Sequence, residues 1–301
     1  MSRLRVFRGI IPPILTCLND DETVDVVSQR RLVSYLLEGG VHGIFALGSM
    51  GEGVNLLARE RARCVEAVLA EAGGKVPVLA ACSDTSTRRA IDNARALQAM
   101  GVDALVCTIP YYNTPDRDGI LRHYRALIDA VDIPLFLYNL PGIVKVSLDR
   151  ELVLELAKDQ RIAGMKDSSG NLSDILRLIV SRPKDRDFPI LQGWDLLVAP
   201  TLLLGGEGAV TGLTNLAPNL FRRLYDAAQA GDVGLAVSLQ QQVANDVFDF
   251  YSFGSGYAGV KAALSLLGVC GPKVSSPLRP ASDEDVAKVR AKLVSIGLLS
   301  K

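Results

Sequence analysis

The sequence has only two histidines, one tryptophan and five cysteines among its 301 residues. The cysteines are odd in number and form no Cys-x-x-Cys pair, so neither a disulfide framework nor a cysteine-based zinc site is indicated. Neither His42 nor His123 has a partner at the spacing of metal ligands. We therefore predict no metal and free thiols. Because the N-terminal residues also lack the apolar segment of a signal peptide, we predict a reducing, cytoplasmic location.

The sequence also lacks an excess of charge and a long apolar run. It has 33 basic and 33 acidic side chains. Attraction to nucleic acid or to an anionic membrane needs a basic excess, so neither partner is expected. A membrane-spanning helix needs about 18 consecutive apolar residues, and the longest runs here are far shorter. These features predict a soluble protein whose partner is a small molecule.

Eight short apolar runs alternate with amphipathic stretches along most of the chain. The runs are apolar at consecutive residues, which is typical of parallel strands covered on both faces. Eight strands that alternate with helices predict a (β/α)8 barrel, a fold of about 250 residues. The predicted strands are 10–16, 43–47, 76–80, 103–107, 133–138, 162–166, 188–192 and 208–211.

The predicted helices continue beyond the last strand. We assign residues 1–230 to the barrel and residues 231–301 to a C-terminal helical bundle. Within the barrel, apolar periodicity and glycine stops predict helices between the strands. The predicted helices are 25–38, 85–100, 118–131, 148–158, 171–180, 219–230, 233–250, 257–267 and 282–296.

Lys166 is the residue most indicative of chemistry. It ends the sixth predicted strand, and active sites of such barrels lie at the C-terminal ends of the strands. In the apolar mouth of a barrel, desolvation disfavours the ammonium form, so a free amine becomes available. A free amine condenses with a carbonyl to form an imine. The competing interpretation is a strand-capping lysine that extends to solvent.

Three hydroxyl groups are candidates for moving protons beside this amine. Tyr138 ends the neighbouring strand, and a phenol can relay protons if a partner accepts its own. Ser49 and Tyr112, which follow the second and fourth strands, could complete such a relay. By position alone, Tyr138 could equally be an interior aromatic residue and Ser49 a turn residue.

A glycine-rich segment follows the second predicted strand. Gly48 and Gly51 allow close approach of the backbone, and the amides of Ser49, Met50 and Gly51 could form a nest for an anion. A 2-keto acid carries a carboxylate that would fit such a nest. We expect Glu52 to hold this loop through hydrogen bonds to the backbone.

With these motifs, the sequence resembles the N-acetylneuraminate lyase and dihydrodipicolinate synthase superfamily of class I aldolases. The resemblance rests on the glycine-rich loop, the Tyr-Asn-x-Pro segment and the Gly-x-Lys-Asp-Ser-Ser-Gly segment, and covers essentially the whole chain. It implies that Lys166 forms the Schiff base, that Tyr138 shuttles protons, and that Ser49 and a neighbouring subunit's Tyr112 belong to its relay. It further implies a carboxylate site at the amides of Ser49 and Met50, a pocket-lining carbonyl near Val210, and a homotetramer built from tight dimers.

Departures from the family pattern bear on the substrate. Dihydrodipicolinate synthases of the family place an arginine where this sequence has Ile143, and an isoleucine cannot pair with a distal carboxylate. Neuraminate lyases of the family have an acidic pair after the seventh strand and a serine after the eighth. Here the corresponding residues are Asp195-Leu196 and Gly212, so only the first acidic residue is present. Met50 replaces a hydroxyl residue of the glycine-rich loop. We therefore predict retro-aldol cleavage of a 2-keto-3-deoxy sugar acid to pyruvate and an aldehyde.

Four alternatives remain open from the sequence. The same imine could support dehydration or deamination, or dihydrodipicolinate synthase activity. The chain could also be a barrel that binds a 2-keto acid without catalysis. The glycine-rich stretch at residues 205–209 could indicate a phosphate- or flavin-binding barrel, although it contains no basic residue. No cofactor is expected for the lyase, since the lysine itself supplies the electrophile.

Overall fold

A computed structural model describes residues 7–300 of the chain. Its centre is a ring of eight parallel strands, as predicted, and almost every strand residue is buried. This double-sided burial explains why the strands are apolar at consecutive positions. The strands are β1 (Gly9–Ile10), β2 (Ile44–Ala46), β3 (Val78–Ala81), β4 (Ala104–Thr108), β5 (Leu135–Asn139), β6 (Ile162–Asp167), β7 (Ile190–Gln192) and β8 (Gly208–Ala209).

The sheet closes between its first and second strands. Each strand from β2 to β8 pairs in parallel with the next along the chain, and β8 pairs with β1. Just beyond β1, a bridge between Pro13 and Phe45 completes the ring. Phe45 donates its amide to the Pro12 carbonyl at 2.9 Å, and its own carbonyl accepts the Ile14 amide at 2.9 Å. The prediction of a (β/α)8 barrel is confirmed.

Helices cover the outside of the ring. Asp25, Ser86, Asp116, Asp149 and Asn171 cap the helices that they precede through their side-chain oxygens, which satisfies otherwise unpaired amides. The helices are α1 (Val26–Glu38), α2 (Ala58–Ala72), α3 (Thr87–Met100), α4 (Arg117–Ile128), α5 (Pro141–Val144), α6 (Arg150–Leu156), α7 (Leu172–Ser181), α8 (Val198–Leu203), α9 (Pro218–Gln229), α10 (Val233–Gln242), α11 (Ala258–Leu266) and α12 (Asp283–Ser295).

Several parts of the helix assignment differ from the sequence prediction. The short helices α5 and α8 were not assigned. Helix α2 was not assigned, because its surface is rich in arginine and glutamate and only a narrow stripe containing Cys64, Val65 and Val68 is buried. The helix predicted over 233–250 is wrong beyond residue 242. There the chain widens into a π-turn at Val243–Val247 and then tightens into a 3-10 helix at Phe248–Ser252.

The C-terminal helices are joined to the mouth of the barrel by specific contacts. Gln240 of α10 accepts the Ala199 amide at 2.8 Å and donates to the Asp195 carbonyl at 3.0 Å. Lys261 of α11 forms an ion pair with Glu52, which follows β2. The division of the chain at residue 230 stays a prediction. Among the helices described for residues 7–300, none is long and apolar enough to cross a membrane.

Candidate active site

A cavity of about 380 Å³ lies at the C-terminal ends of the strands. This volume falls within the range of pockets that bind small molecules. Lys166 lines the cavity from β6 and is only 5% exposed. Its ammonium nitrogen lies 4.1 Å from the ring centroid of Tyr138 and 5.2 Å from that of Phe45. The amine therefore stands among aromatic faces inside the mouth of the barrel instead of extending into bulk solvent.

Tyr138 is placed beside Lys166 by the register of the sheet. The two residues are direct partners in the parallel pairing of β5 with β6, so their side chains share one face. Burial alone would raise the pKa of the Tyr138 phenol, but the charge of Lys166 and hydrogen bonding with Ser49 and Ser168 outweigh it. The net effect is a lowered pKa. A phenol with a lowered pKa releases its proton more readily at neutral pH.

The segment after Lys166 is held in a fixed conformation by Asp167. This buried carboxylate accepts a hydrogen bond from the Asn139 amide group at 2.7 Å, and from the backbone and hydroxyl of Ser169 at 2.9 and 2.6 Å. Gly193, at the end of β7, leaves room for the site. A Cβ there would collide with the Ser168 hydroxyl and lie 3.0 Å from Cε of Lys166. Side chains of β5 and β6, and the absence of a side chain at Gly193 after β7, thus fix the position of the lysine.

The glycine-rich loop after β2 forms a tight turn against the cavity. The Glu52 amide donates to the Ser49 carbonyl at 3.1 Å and the Gly53 amide to the Gly48 carbonyl at 3.3 Å. These bonds close the turn with the amides of Glu52 and Gly53, so those of Ser49 and Met50 are not needed to hold it. A loop of this kind can present backbone amides to a carboxylate.

Glu52 anchors this loop to the C-terminal helices. Its side chain and that of Lys261 are both fully buried, and Oε1 lies 2.5 Å from the Lys261 ammonium nitrogen. The second oxygen accepts the Ser275 amide at 2.6 Å, and Lys261 also donates to the Lys273 carbonyl at 2.7 Å. Glu52 therefore holds the loop as expected, although through an ion pair that sequence reasoning did not predict.

The wall of the cavity that contains Trp194, Asp195, Phe248 and Tyr251, here called the far side, is predominantly apolar and aromatic. The structure brings Met50, Ile143, Asp195, Val210 and Gly212 to this cavity together with Lys166, Tyr138 and Ser49, as the sequence predicts. Sequence reasoning missed several further lining residues. Phe248, Tyr251, Gly256 and Tyr257 come from the irregular C-terminal segment, and Pro13, Gly193 and Trp194 follow strands but carry no group that indicates chemistry.

Asp195 is the acidic group of this far side. One carboxylate oxygen accepts the Leu213 amide and the other the Tyr251 hydroxyl, each at 3.0 Å. Burial raises the pKa of Asp195 to about 6, with these hydrogen bonds opposing the rise. The carboxyl is therefore largely ionised at neutral pH.

Three predicted site residues lie outside this cavity. Gly48 lines a neighbouring cavity of about 190 Å³, which also contacts Ser49 and Tyr138. Gly51 lies behind the loop, where a Cβ would approach the Ile14 carbonyl to 2.8 Å. Tyr112 is 93% exposed, has a φ of 82° and lies in neither cavity of its own chain.

The glycine-rich stretch at residues 205–209 lies at the opposite end of the barrel from Lys166. It leads into β8, and Gly9 at the start of β1 donates its amide to the Glu207 carbonyl at 2.9 Å. The position does not favour a phosphate site, because barrels bind phosphate in loops that follow the strands. His42 lies near this end as well, where it accepts the Ile10 amide at 3.0 Å.

Comparison with known proteins places this geometry in a family. The dihydrodipicolinate synthetase family matches residues 6–296 of the chain. A 4-hydroxy-tetrahydrodipicolinate synthase from Neisseria meningitidis serogroup C is 35% identical over 294 residues, which cover 98% of this chain and 100% of that protein. The enzyme of the same name from Methanospirillum hungatei is 34% identical over 96% of this chain and 99% of its own length.

Solved structures are similar over the same extent. The prophage protein YagE from Escherichia coli K12, described as a dihydrodipicolinic acid synthase family member in complex with pyruvate, superposes with a TM-score of 0.92. It is 30% identical, and the match covers 98% of this chain and 100% of that one. The same values hold for a dihydrodipicolinate synthase from Acinetobacter baumannii complexed with pyruvate.

Proposed function

This chain belongs to the dihydrodipicolinate synthetase family, and on that premise we propose that it is a pyruvate-dependent class I aldolase that acts through an imine on Lys166. It makes or breaks the bond between the methyl carbon of pyruvate and the carbonyl carbon of an aldehyde. The observation that carries the proposal is the pairing of the buried Lys166 with Tyr138 across β5 and β6. Beside this pair lies a turn that is not held by the amides of Ser49 and Met50.

Imine formation is the first step. The neutral amine of Lys166 attacks the C2 carbonyl of pyruvate, and the resulting carbinolamine loses water to give a protonated imine. The carboxylate of pyruvate rests on the amides of Ser49 and Met50, and the Val210 carbonyl lines the same region. Because the glycine-rich loop and β6 are both rigidly held, the carbonyl is oriented toward the amine before reaction.

Proton transfer by Tyr138 then connects the imine to carbon–carbon chemistry. The phenol accepts and returns protons as the carbinolamine dehydrates, and loss of a C3 proton from the imine gives a nucleophilic enamine. The enamine attacks the aldehyde carbonyl, and hydrolysis of the new imine releases product and restores Lys166. The lowered pKa of Tyr138 suits it to this role as a general acid and base.

The relatives and the cavity favour different aldehydes. The names of the relatives favour the alternative, 4-hydroxy-tetrahydrodipicolinate synthase, over cleavage of a 2-keto-3-deoxy sugar acid. A dipicolinate product carries two carboxylates, so the aldehyde of that reaction must bring the second one. Ile143, 55% exposed at the cavity, provides no charge to bind it. We propose the shared aldolase chemistry as the function and treat the aldehyde as a separate question.

Tyr112 is proposed to act in a neighbouring subunit. Its side chain is 93% exposed and lines neither cavity of its own chain. In an assembly of tight dimers, the phenol would complete the relay through Ser49 to Tyr138 of the partner. A homotetramer is the assembly that the family resemblance implies.

Exchange of the methyl protons of pyruvate for deuterium tests the proposal without knowledge of the aldehyde. Enamine formation releases a C3 proton, so the enzyme in D₂O should deplete the methyl signal of pyruvate in proton NMR. Lys166→Met should reduce exchange to the uncatalysed rate. Lys145→Met is the control, because Lys145 is an exposed lysine of the neighbouring loop whose ammonium donates to the Gly142 carbonyl. Equal exchange by wild type and Lys166→Met would refute the proposal.

A further inference from the structure

The far side of the active-site cavity has a distinctive charge balance. Among residues 7–300, those that line it include one cationic side chain, Lys166, and one carboxylate, Asp195. Once the imine has formed, the carboxylate of the bound pyruvate balances the positive charge on the imine nitrogen of Lys166. Asp195 then remains as the charged group nearest to the space for the aldehyde. A second carboxylate in that space would meet a like charge with no cation to offset it.

A cation from the neighbouring cavity does not change this balance. Arg61 lines the smaller cavity but not the one that contains Lys166. Its guanidinium donates to the Ala81 carbonyl at 3.1 Å, which holds it at the end of β3. Five residues line both cavities, and Arg61 is not among them: Ser49, Tyr138, Leu140, Ile143 and Tyr257.

Tyr251 is the polar lining residue that contacts Asp195. Its hydroxyl donates to Asp195 at 3.0 Å, and a Cβ placed on Gly212 would collide with the hydroxyl and lie 2.7 Å from the Met50 sulfur. Burial and the neighbouring carboxylate raise the pKa of the phenol well above its usual value, so it stays protonated. Because the hydroxyl donates its hydrogen bond to Asp195, the phenol oxygen offers only lone pairs to a ligand. These can accept a hydrogen bond but cannot bind an anion.

Aromatic side chains complete the wall around Tyr251. The ring of Phe248 packs edge-on against that of Tyr251, with centroids 5.7 Å apart. Trp194 is 43% exposed and also lines the cavity. Apolar walls of this kind bind a hydrocarbon portion by removing it from water.

We propose that Tyr251, positioned by Asp195, selects the aldehyde: it accepts a hydrogen bond from a hydroxyl of an uncharged aldehyde, whose hydrocarbon portion lies against Trp194, Phe248 and Ile143. The proposal rests on the aldolase function above and names the substrate class of the same site. Asp195 is a positioning residue here, since both of its carboxylate oxygens are occupied by protein donors.

Matched aldehyde pairs test the charge selection. Pyruvate is supplied at saturation, and kcat/KM is measured for butanal against succinic semialdehyde, and for benzaldehyde against para-carboxybenzaldehyde. Each pair differs by one distal carboxylate. We expect the neutral aldehyde to be favoured by about 10- to 100-fold, the cost of an uncompensated like charge. A preference for the carboxylate member of both pairs, with normal deuterium exchange into pyruvate, would overturn this inference and leave the aldolase function intact.

Substitution at Tyr251 tests the role of its hydroxyl. Glycolaldehyde and acetaldehyde differ by one hydroxyl group, so Tyr251→Phe should lower kcat/KM for glycolaldehyde by about tenfold, the loss of one hydrogen bond. Acetaldehyde has no hydroxyl group to make this bond, so the ratio of the two kcat/KM values should fall by about tenfold, whatever general loss of activity the variant has. Tyr225→Phe is the matched control, because that tyrosine stacks on His42 at the opposite end of the barrel. An equal loss for both aldehydes would contradict selection by Tyr251.

A gain-of-function variant keeps the inference falsifiable if Tyr251→Phe does not fold. Ile143 is 55% exposed, so Ile143→Arg is tolerated by the fold and adds a cation at the cavity. It should raise kcat/KM for succinic semialdehyde by about tenfold or more, and it should lower that for butanal because the apolar contact with Ile143 is lost. If Ile143→Arg does not alter the ratio of the two values, charge does not govern selection at this site.

Discussion

The buried ion pair between Glu52 and Lys261 offers a quantitative prediction that links the stability of the fold to its active site. Both side chains are fully buried, and Glu52 holds the loop that carries Ser49. Lys261→Met keeps most of the side-chain volume but leaves the carboxylate of Glu52 with one donor, the Ser275 amide at 2.6 Å. Removal of one partner from a buried pair costs about 3–5 kcal/mol.

This loss should be visible in thermal unfolding. An unfolding entropy of about 2.1 cal/mol/K per residue gives about 0.6 kcal/mol/K for the 301-residue chain. The expected decrease in Tm is therefore about 5–8 °C, measured by circular dichroism without ligand. Because the loop loses its anchor, the KM for pyruvate in the deuterium-exchange assay should also rise. Glu52→Gln combined with Lys261→Met should recover part of the stability, since the amide oxygen can still accept from Ser275.

A surface ion pair provides the control for this substitution. Lys288→Met removes the exposed partner of Glu284, which lies one turn earlier on α12 at 2.7 Å. Exposed pairs of this kind add little to stability, so Tm and KM should remain as in wild type. If Lys261→Met shifts Tm no more than Lys288→Met does, the reasoning about the buried pair is refuted.

Three further predictions concern the site itself. Tyr138→Phe should slow exchange of the pyruvate protons by about 10²- to 10⁴-fold, the usual share of one acid–base group, and an unchanged rate would remove Tyr138 from the relay. Because burial raises the pKa of Asp195 from 3.8 to about 6, the native state retains a proton that the unfolded state loses between those values. The contribution of this group to the free energy of unfolding therefore falls by about 3 kcal/mol as the pH rises from about 4 to 6. Urea unfolding measured across that range should show this loss in wild type, and Asp195→Asn should abolish it. Tyr112→Phe should slow exchange in the assembled enzyme, and mixed oligomers with Ser49→Ala should show whether the two residues act across subunits.

The strands and the proximity of Lys166 to Tyr138 were the parts that sequence reasoning predicted well. Parallel barrel strands are buried on both faces, so their apolar runs are unambiguous, and the rule that chemistry lies at their C-terminal ends placed Lys166 and Tyr138 together. The register between β5 and β6 then brings them face to face. Strand ends were also sufficient to bring Ser49, Asp195 and Val210 to one cavity.

The aromatic wall could not be predicted in the same way. Phe248 and Tyr251 lie in a stretch with the apolar periodicity of a helix. No local sequence signal predicts the π-turn that interrupts this helix at Val243–Val247. Their position depends on tertiary contacts, above all the hydrogen bond of Tyr251 to Asp195. The ion pair of Glu52 with Lys261 was missed for the same reason, since its partners are 209 residues apart and only the folded chain brings them together.

Reductive trapping tests the central claim most directly. The enzyme is incubated with pyruvate and sodium borohydride, digested with a protease and analysed by mass spectrometry. The account predicts that the peptide containing Lys166 carries the mass of a reduced pyruvate imine, and that Lys166→Met acquires no adduct while Lys145→Met is labelled like wild type. A pyruvate adduct on another lysine, or undiminished labelling of Lys166→Met, would contradict it.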